Sequence, residues 1–344
     1  MTQQQMIYGA TGYMGKLITR MMSEKGLKPV LAGRSETVKQ LAAKHGLDYR
    51  IFSLEDQQEI NKNLQGISLL INLAGPFNKT NAPLITGCIE NKVHYTDISG
   101  EATGYETVYS FNEKAKSSGV MLMPGTGFGI VPTDVMALYL KQQMPDGNKL
   151  ILAFAVDGGA SRGTMKVGLK AMHEPGIEVI NGEKQVTFPA TKSFHAKIGN
   201  KEVKMVLNPW RGDLFTASIT TGIQNVSTYT AFPSPLVFIM KHPGIFRGVM
   251  KSKLMDWIVG LMPEGPDEEK LKSGKSYVFG KIANDNGQQI ECVMTGPEAY
   301  LYTAITTLRI AENILKGDFR PGFQTPAGMY GATLIDGIDG VKIL

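Results

Sequence analysis

Ile7-Tyr8-Gly9-Ala10-Thr11-Gly12-Tyr13-Met14-Gly15 stands almost at the start of the chain, and the rest reads outward from it. Three glycines recur every third residue behind an apolar strand end. Lacking a Cβ, glycine accepts positive φ and lets another backbone come close. Gly9 serves the tight turn out of the strand, Gly12 leaves room for a pyrophosphate, and Gly15 lets the next helix lie close to the strand. In that helix Met14, Leu17, Ile18 and Met21 share a face, and Gly26 stops it. Its first-turn N–H groups, with Ala10, Thr11 and Tyr13 between the glycines, form an anion site. A plain turn between any strand and helix is the alternative.

The next strand, Pro29-Val30-Leu31-Ala32, ends in Gly33-Arg34-Ser35. Arg34 lies about 20 residues past the loop, where an NAD site carries an acid for the ribose 2′-hydroxyl. A guanidinium and a hydroxyl suit a 2′-phosphate, and an acid would repel it. The sequence therefore favours NADP(H) over NAD(H); a solvated Arg at a helix start is the alternative.

A chain of 344 residues suggests two domains with ample core. Hydrophobic residues at 42% and charged ones at 19% are ordinary for globular proteins. Lys+Arg 36 against Asp+Glu 31 gives +5 with no charge blocks, so no nucleic-acid footprint exists. Cys88 and Cys292 are far apart, and five scattered histidines supply no metal-ligand spacing; both cysteines read as small buried hydrophobes. No apolar run approaches the roughly 18 residues of a membrane span, and no leader precedes the glycine strand, so a soluble, cytoplasmic protein is expected.

Along the first third, strands at 49–52, 68–72, 93–97 and 120–123 alternate with helices at 38–44, 55–64, 83–91 and 132–143. This is the pattern of a doubly wound parallel sheet with helices on both faces. Ligands bind such sheets at the carboxyl ends of the strands. Phe77, after Gly75-Pro76, either meets a nicotinamide or substrate there or folds into the core. Tyr95, Asp97 and Glu101 come from the fifth strand and its end. An acid there either acts as a general base or orienting group, or caps the following helix. The loop Pro124-Gly125-Thr126-Gly127-Phe128-Gly129 allows close backbone approach at the nicotinamide end.

Strand-like runs then follow at 150–156, 193–198, 203–207, 214–220, 226–230, 277–282 and 289–294, with hairpin turns at Gly199-Asn200 and Asn284–Gly287. One helix spans 164–172, and Leu301 to Leu315 is the last strong one. An α+β domain with a largely antiparallel sheet is expected. In 246–262, Met250, Leu254, Trp257, Ile258 and Leu261 share a helical face. That face lies on a membrane, covers a substrate, or packs on its own sheet. The boundaries expected are 1–147, with 318–344 docking back onto it, and 148–317.

With these residues in hand, the chain resembles the saccharopine dehydrogenase-like oxidoreductases, most nearly the branch with trans-acting enoyl reductases. The likeness rests on GATGYMG, LAGRS, INLAGPF, HYTDISGE and PGTGFGIVPTD, then GGASRGT, GPDEE with GKSYVFGKI, TGPEAYLYTAITTLRIAEN and PGFQTPAGMYG. It implies a Rossmann domain for NADP(H) and a second domain for substrate and homodimer contacts. By position, Gly9, Ala10, Thr11, Gly12, Tyr13, Met14 and Gly15 would hold the pyrophosphate, and Arg34 and Ser35 the 2′-phosphate. Asn72, Ala74, Gly75 and Pro76 would line the ribose and nicotinamide. The family's acid at the adenine is replaced here by Phe52-Ser53-Leu54, whose Ser53 and Leu54 backbone groups would take its place.

Function is read as hydride transfer from NADPH to a C=C or C=N bond. The substrate expected is apolar or acyl-bearing, from Phe232, Leu236, Phe238, Met240, Phe246, Met250 and Trp257, with Phe77, Glu101, Phe128 and Trp257 as its contacts. The proton donor is not identified; Tyr95 and Asp97 are the candidates. The alternatives are a non-catalytic NADP(H)-binding protein that meets a partner or membrane surface, and a saccharopine-type amino-acid reductase. The last would need cations for several carboxylates, for which Arg162 and Arg211 are the only candidates.

Overall fold

The structure, a computed structural model, describes residues 4–157, 161–171, 174–242, 244–245, 248 and 252–344. Packing divides the chain into two units, Met1–Val131 with Thr303–Met329 and Pro132–Tyr302 with Tyr330–Leu344. The expected boundaries at 147/148 and 317/318 do not coincide with this division. Most of helix Val131–Gln143 packs in the second unit, and most of helix Ala299–Leu315 in the first.

In the first unit, β1 (Gln5–Tyr8), β2 (Val30–Gly33), β3 (Tyr49–Ile51), β4 (Leu69–Asn72), β5 (His94–Asp97) and β6 (Met121–Met123) are all parallel. With Gly322–Phe323 paired on β6, the order is Gly322–Phe323, β6, β5, β4, β1, β2, β3. β1, β2 and β4 are buried at every residue. Helices on both faces leave no solvated side, so these strands read as apolar runs rather than alternations. The order in which strands are added reverses between β1 and β4, which makes a switch point at their carboxyl ends.

Helix Phe77–Asn91 begins six residues before the expected start and carries Pro83 inside it. Helices Ala102–Ser110 and Asn112–Ser118 had no strong apolar period to announce them. The tail is shared. Gly322–Phe323 extends the parallel sheet, whereas Lys342–Ile343 pairs with strand Gln289–Pro297 in the second unit, so only part of 318–344 returns to the first.

The second unit is a nine-stranded mixed sheet centred on Lys149–Val156. That strand runs parallel to Asn225–Thr230 and antiparallel to Lys275–Ala283; every other pairing is antiparallel. Phe194 packs its ring 5.0 Å from Tyr229 and 5.3 Å from Phe279, against a core cluster of this unit. The expected strand over 214–220 is a helix, Asp213–Thr221. It buries Asp213, Leu214, Thr216 and Ala217 on one side and ends on left-handed Gly222, which overrides the strand propensity of its Thr and Ile residues. The hairpin of Gly176–Ile180 and Glu183–Thr187 was not foreseen.

Candidate functional site: a dinucleotide cradle at the strand ends

The three glycines of the first turn do different work. Gly9 sits at φ +86° and donates its N–H to the Ala32 carbonyl oxygen at 2.9 Å, locking the turn to β2. A Cβ on Gly9 would stand 2.7 Å from the Ala74 amide nitrogen, and one on Gly15 would stand 2.4 Å from the carbonyl oxygens of Gly9 and Ala10. Both glycines are demanded by the protein itself. Gly12 is exposed, and a Cβ there would meet only the Gly9 carbonyl oxygen, at 3.4 Å. Gly12 also caps helix Tyr13–Glu24, which has neither a side-chain cap nor an acid in its first turn. Open space, uncapped N–H groups and the positive end of a helix dipole fit a pyrophosphate. Ala10, Met14 and Gly15 are buried beneath the turn, while Thr11 and Tyr13 are half-buried around it.

Across the next two strand ends lie Arg34, Ser35, Ser53 and Leu54. Arg34 is exposed and makes no ion pair with a described residue. Ser35 Oγ accepts from the Thr37 amide at 3.3 Å and the Thr37 hydroxyl at 3.0 Å, which leaves its own proton to donate. Ser53 Oγ accepts the Glu55 N–H at 3.3 Å, so this side chain closes its own turn. Tyr8 was missed by the sequence reading. Its ring lies 5.0 Å from Phe52, and its hydroxyl donates to the Phe52 carbonyl oxygen at 3.3 Å. Burial pushes this phenol up to about 12, and the Arg34 charge opposes the rise. The only signal for Tyr8 was its place at the last position of β1.

A buried polar chain joins the ends of β4, β5 and β6. Asn72 Nδ2 donates to the hydroxyls of Thr80 and Tyr95, each at 3.0 Å, and Asn72 Oδ1 accepts the Ala74 N–H at 3.0 Å. Thr80 donates to the Ala74 carbonyl oxygen at 2.8 Å. Tyr95 donates to Asp97 Oδ2 at 2.9 Å. Asp97 Oδ1 accepts from the Ser99 hydroxyl at 2.6 Å, the Ser99 amide at 2.9 Å and the Gly125 amide at 3.0 Å. Tyr95 and Asp97 are both 0% exposed. Burial raises the Asp97 carboxyl, against which its four donors act; burial first, then the Asp97 charge, holds the Tyr95 phenol well above its usual range. This arrangement runs against the expectation of an acid–base pair facing a substrate, because neither group reaches solvent and every polar atom is engaged.

The remaining candidates divide. Gly75 and Pro76, joined by a cis peptide bond, are exposed, and Phe77 is half-buried in the first turn of its helix. Glu101 turns back to accept the Gly100 N–H at 3.1 Å at the start of helix Ala102–Ser110. Phe128 is 6% exposed, and its amide donates to Thr303 Oγ1 at 3.0 Å. Its loop was expected to open toward the nicotinamide. Instead a Cβ on Gly127 would stand 2.6 Å from Thr303 Cγ2, and one on Gly125 would overlap the Tyr105 hydroxyl, so these glycines serve packing.

Trp257 belongs to the second unit and is 61% exposed. Its helix, Lys253–Gly260, packs through Val259 and Met255 against Val237 and Met240, while Trp257, Ile258 and Leu261 point outward. The inward face is therefore not the one expected. Met240, Phe232 and Leu236 are spent on that unit's own core; Phe246 and Met250 lie outside the described residues. Arg211 is ion-paired with Asp213 at 2.6 Å and stacked 4.1 Å from the Phe154 ring, and Arg162 donates twice to the Met262 carbonyl oxygen. Neither stands ready for a substrate carboxylate. Cys88 is buried as expected, whereas Cys292 is only half-buried.

Fold and site together define a doubly wound dinucleotide-binding α/β unit joined to a mixed-sheet unit. Residues 6–123 match the family model described as Saccharopine dehydrogenase NADP binding domain. The chain is 26% identical over 159 residues to a saccharopine dehydrogenase-like oxidoreductase of Bos taurus, spanning 40% of this chain and 37% of that protein. It is 27% identical over 184 residues to a Mycobacterium tuberculosis protein whose name proposes a trans-acting enoyl reductase, spanning 48% of this chain and 43% of that protein. The matches thus span less than half of these relatives. An apo saccharopine dehydrogenase (L-Glu forming) from Saccharomyces cerevisiae shares the fold at a TM-score of 0.69 and 11% identity, covering 99% of this chain and 100% of that one. The family resemblance drawn from the motifs is borne out, as is NADP as the cofactor class of the matched domain.

Proposed function

We propose that this protein is an NADP(H)-dependent oxidoreductase that delivers hydride to a C=C or C=N bond of an apolar or acyl-bearing substrate. The observation that carries the reading is the Gly12 cradle, open where Gly9 and Gly15 are closed, with Arg34 beside it on the next strand end. Gly9 to Gly15 hold the pyrophosphate, Arg34 and Ser35 the 2′-phosphate, Ser53 and Leu54 the adenine edge, and Asn72 to Pro76 the ribose and nicotinamide. When bound, the cofactor supplies the hydride; the chain binds, orients and excludes water. The acyl part of the reading is supported by the similarity to the M. tuberculosis protein named above. Phe77 and Glu101 remain proposed substrate contacts, and the protein works as a cytoplasmic homodimer through the second unit. NADPH oxidation across enoyl thioesters and small polar imines tests this: turnover of the thioesters supports it, and turnover confined to the imines contradicts the substrate class.

One observation favours a second reading. The two acid–base candidates, Tyr95 and Asp97, are sealed from solvent. A non-catalytic NADP(H)-binding protein needs no proton donor, and silence across the whole panel with intact NADPH binding supports that reading.

A further inference from the structure

We infer that Tyr95 is a positioning residue for the nicotinamide half of the cofactor site, acting through Asn72 on one side and Asp97 on the other, resting on the NADP(H) reading above. Tyr95 and Asp97 stand two residues apart on β5 and so share one face of the sheet. Asn72 lies in register with Asp97 on the neighbouring strand. The backbone therefore brings three polar side chains together under three loops.

Proton counting fixes the direction of every bond. The Asp97 carboxylate takes four hydrogen bonds, from Tyr95, from Ser99 twice and from Gly125, and as a carboxylate it only accepts. Tyr95 has one hydroxyl proton, and Asp97 claims it. Asn72 must then present its amide nitrogen to Tyr95, which turns Asn72 Oδ1 toward the Ala74 N–H. The Ala74 carbonyl is held by Thr80, itself held by Asn72. Ala74 is thus pinned at its N–H by the Asn72 amide and at its C=O by Thr80, and Tyr95 anchors that amide by accepting from its nitrogen.

On its other side the same carboxylate holds Ser99 and Gly125, and the Asp97 carbonyl oxygen accepts from the Thr126 amide at 2.8 Å and hydroxyl at 3.0 Å. Tyr95 is the link between the loop at Ala74 and the loops at Ser99 and Gly125. Neither Gly12 nor Arg34 belongs to this chain of bonds. Loss of the Tyr95 hydroxyl should therefore loosen the nicotinamide half and spare the adenosine half.

Two ligands separate the halves. Adenosine 2′,5′-bisphosphate carries the adenine, the 2′-phosphate and a 5′-phosphate but no nicotinamide, whereas NADPH carries all of them. For wild type, Tyr95→Phe and Asn72→Asp, both affinities are measured by titration, together with thermal melting and the emission of bound NADPH. Tyr95→Phe removes one oxygen and keeps the ring; Asn72→Asp keeps the shape but replaces the donor with an acceptor. Both variants should weaken NADPH about tenfold, roughly 1.4 kcal/mol, move its bound emission toward that of the free cofactor, and leave the bisphosphate within about twofold. Equal weakening of both ligands would mean that Tyr95 only holds the fold, and no weakening of either would mean that it does nothing for the site; each overturns the inference. Wild type that binds neither ligand would instead remove the NADP(H) reading, and the inference with it.

Discussion

A Cβ placed on Gly15 would stand 2.4 Å from the carbonyl oxygen of Gly9, a separation that backbone atoms cannot relieve without moving strand and helix apart. The glycine motif is therefore two structural residues around one open one. Gly15→Ala should destabilise the protein by at least about 2 kcal/mol, with or without cofactor, as a lowered Tm. An unchanged Tm would show that the helix can shift freely.

Gly12 should behave oppositely. Its φ of −71° suits any residue, and a Cβ there meets nothing closer than 3.4 Å. Gly12→Val should leave the Tm of the free protein within about 2 °C, since surface changes without a clash cost little. It should also weaken NADPH by about 100-fold, because the side chain occupies the pyrophosphate space. Normal NADPH affinity in this variant would remove Gly12 from the site.

Tyr8 gives the stability a dependence on alkali. Burial pushes its phenol up to about 12, above the ordinary tyrosine value of about 10, and that of Tyr229 likewise to about 12. Between those values the unfolded chain has released protons that the folded chain still holds. Stability is therefore complete below about pH 10 and falls as pH rises toward about 12. Tyr8→Phe should flatten part of that fall in denaturant titrations at successive pH values; a stability that rises over this window would contradict the assignment.

The helix Lys253–Gly260 offers a packing test. Val259 is 3% exposed and Leu261 67% exposed. Val259→Ala should lower the Tm by the cost of a small core cavity, about 1–2 kcal/mol, whereas Trp257→Ala with Leu261→Ala should change it little. The reverse order would show that the outward face is the packed one.

The parallel sheet was legible because β1, β2 and β4 are buried on both faces and stand as apolar runs between glycines. Pro83 hid the first turns of its helix, since proline is expected to begin a helix rather than sit inside one. Residues 214–220 misled because their Thr and Ile content favours strands, while the decisive features, the burial of Asp213 and the left-handed Gly222, depend on tertiary context. At the site, the sequence located Asn72, Tyr95 and Asp97 at strand ends but carried no sign of their burial. The Asn72–Tyr95 and Asp97–Gly125 bonds link residues 23 and 28 positions apart, which no local pattern encodes. Tyr8 was invisible for the same reason, its partner Phe52 being 44 residues away.

If Arg34 and the Gly12 cradle select NADP(H), titration of wild type and Arg34→Ala with NADPH and NADH will show it. Loss of a charge-assisted phosphate contact costs about 1.5–3 kcal/mol. Wild type should therefore prefer NADPH, and Arg34→Ala should weaken NADPH about tenfold or more while NADH barely changes. Wild type that binds NADH as tightly as NADPH, or an Arg34→Ala variant that weakens both equally, would contradict it.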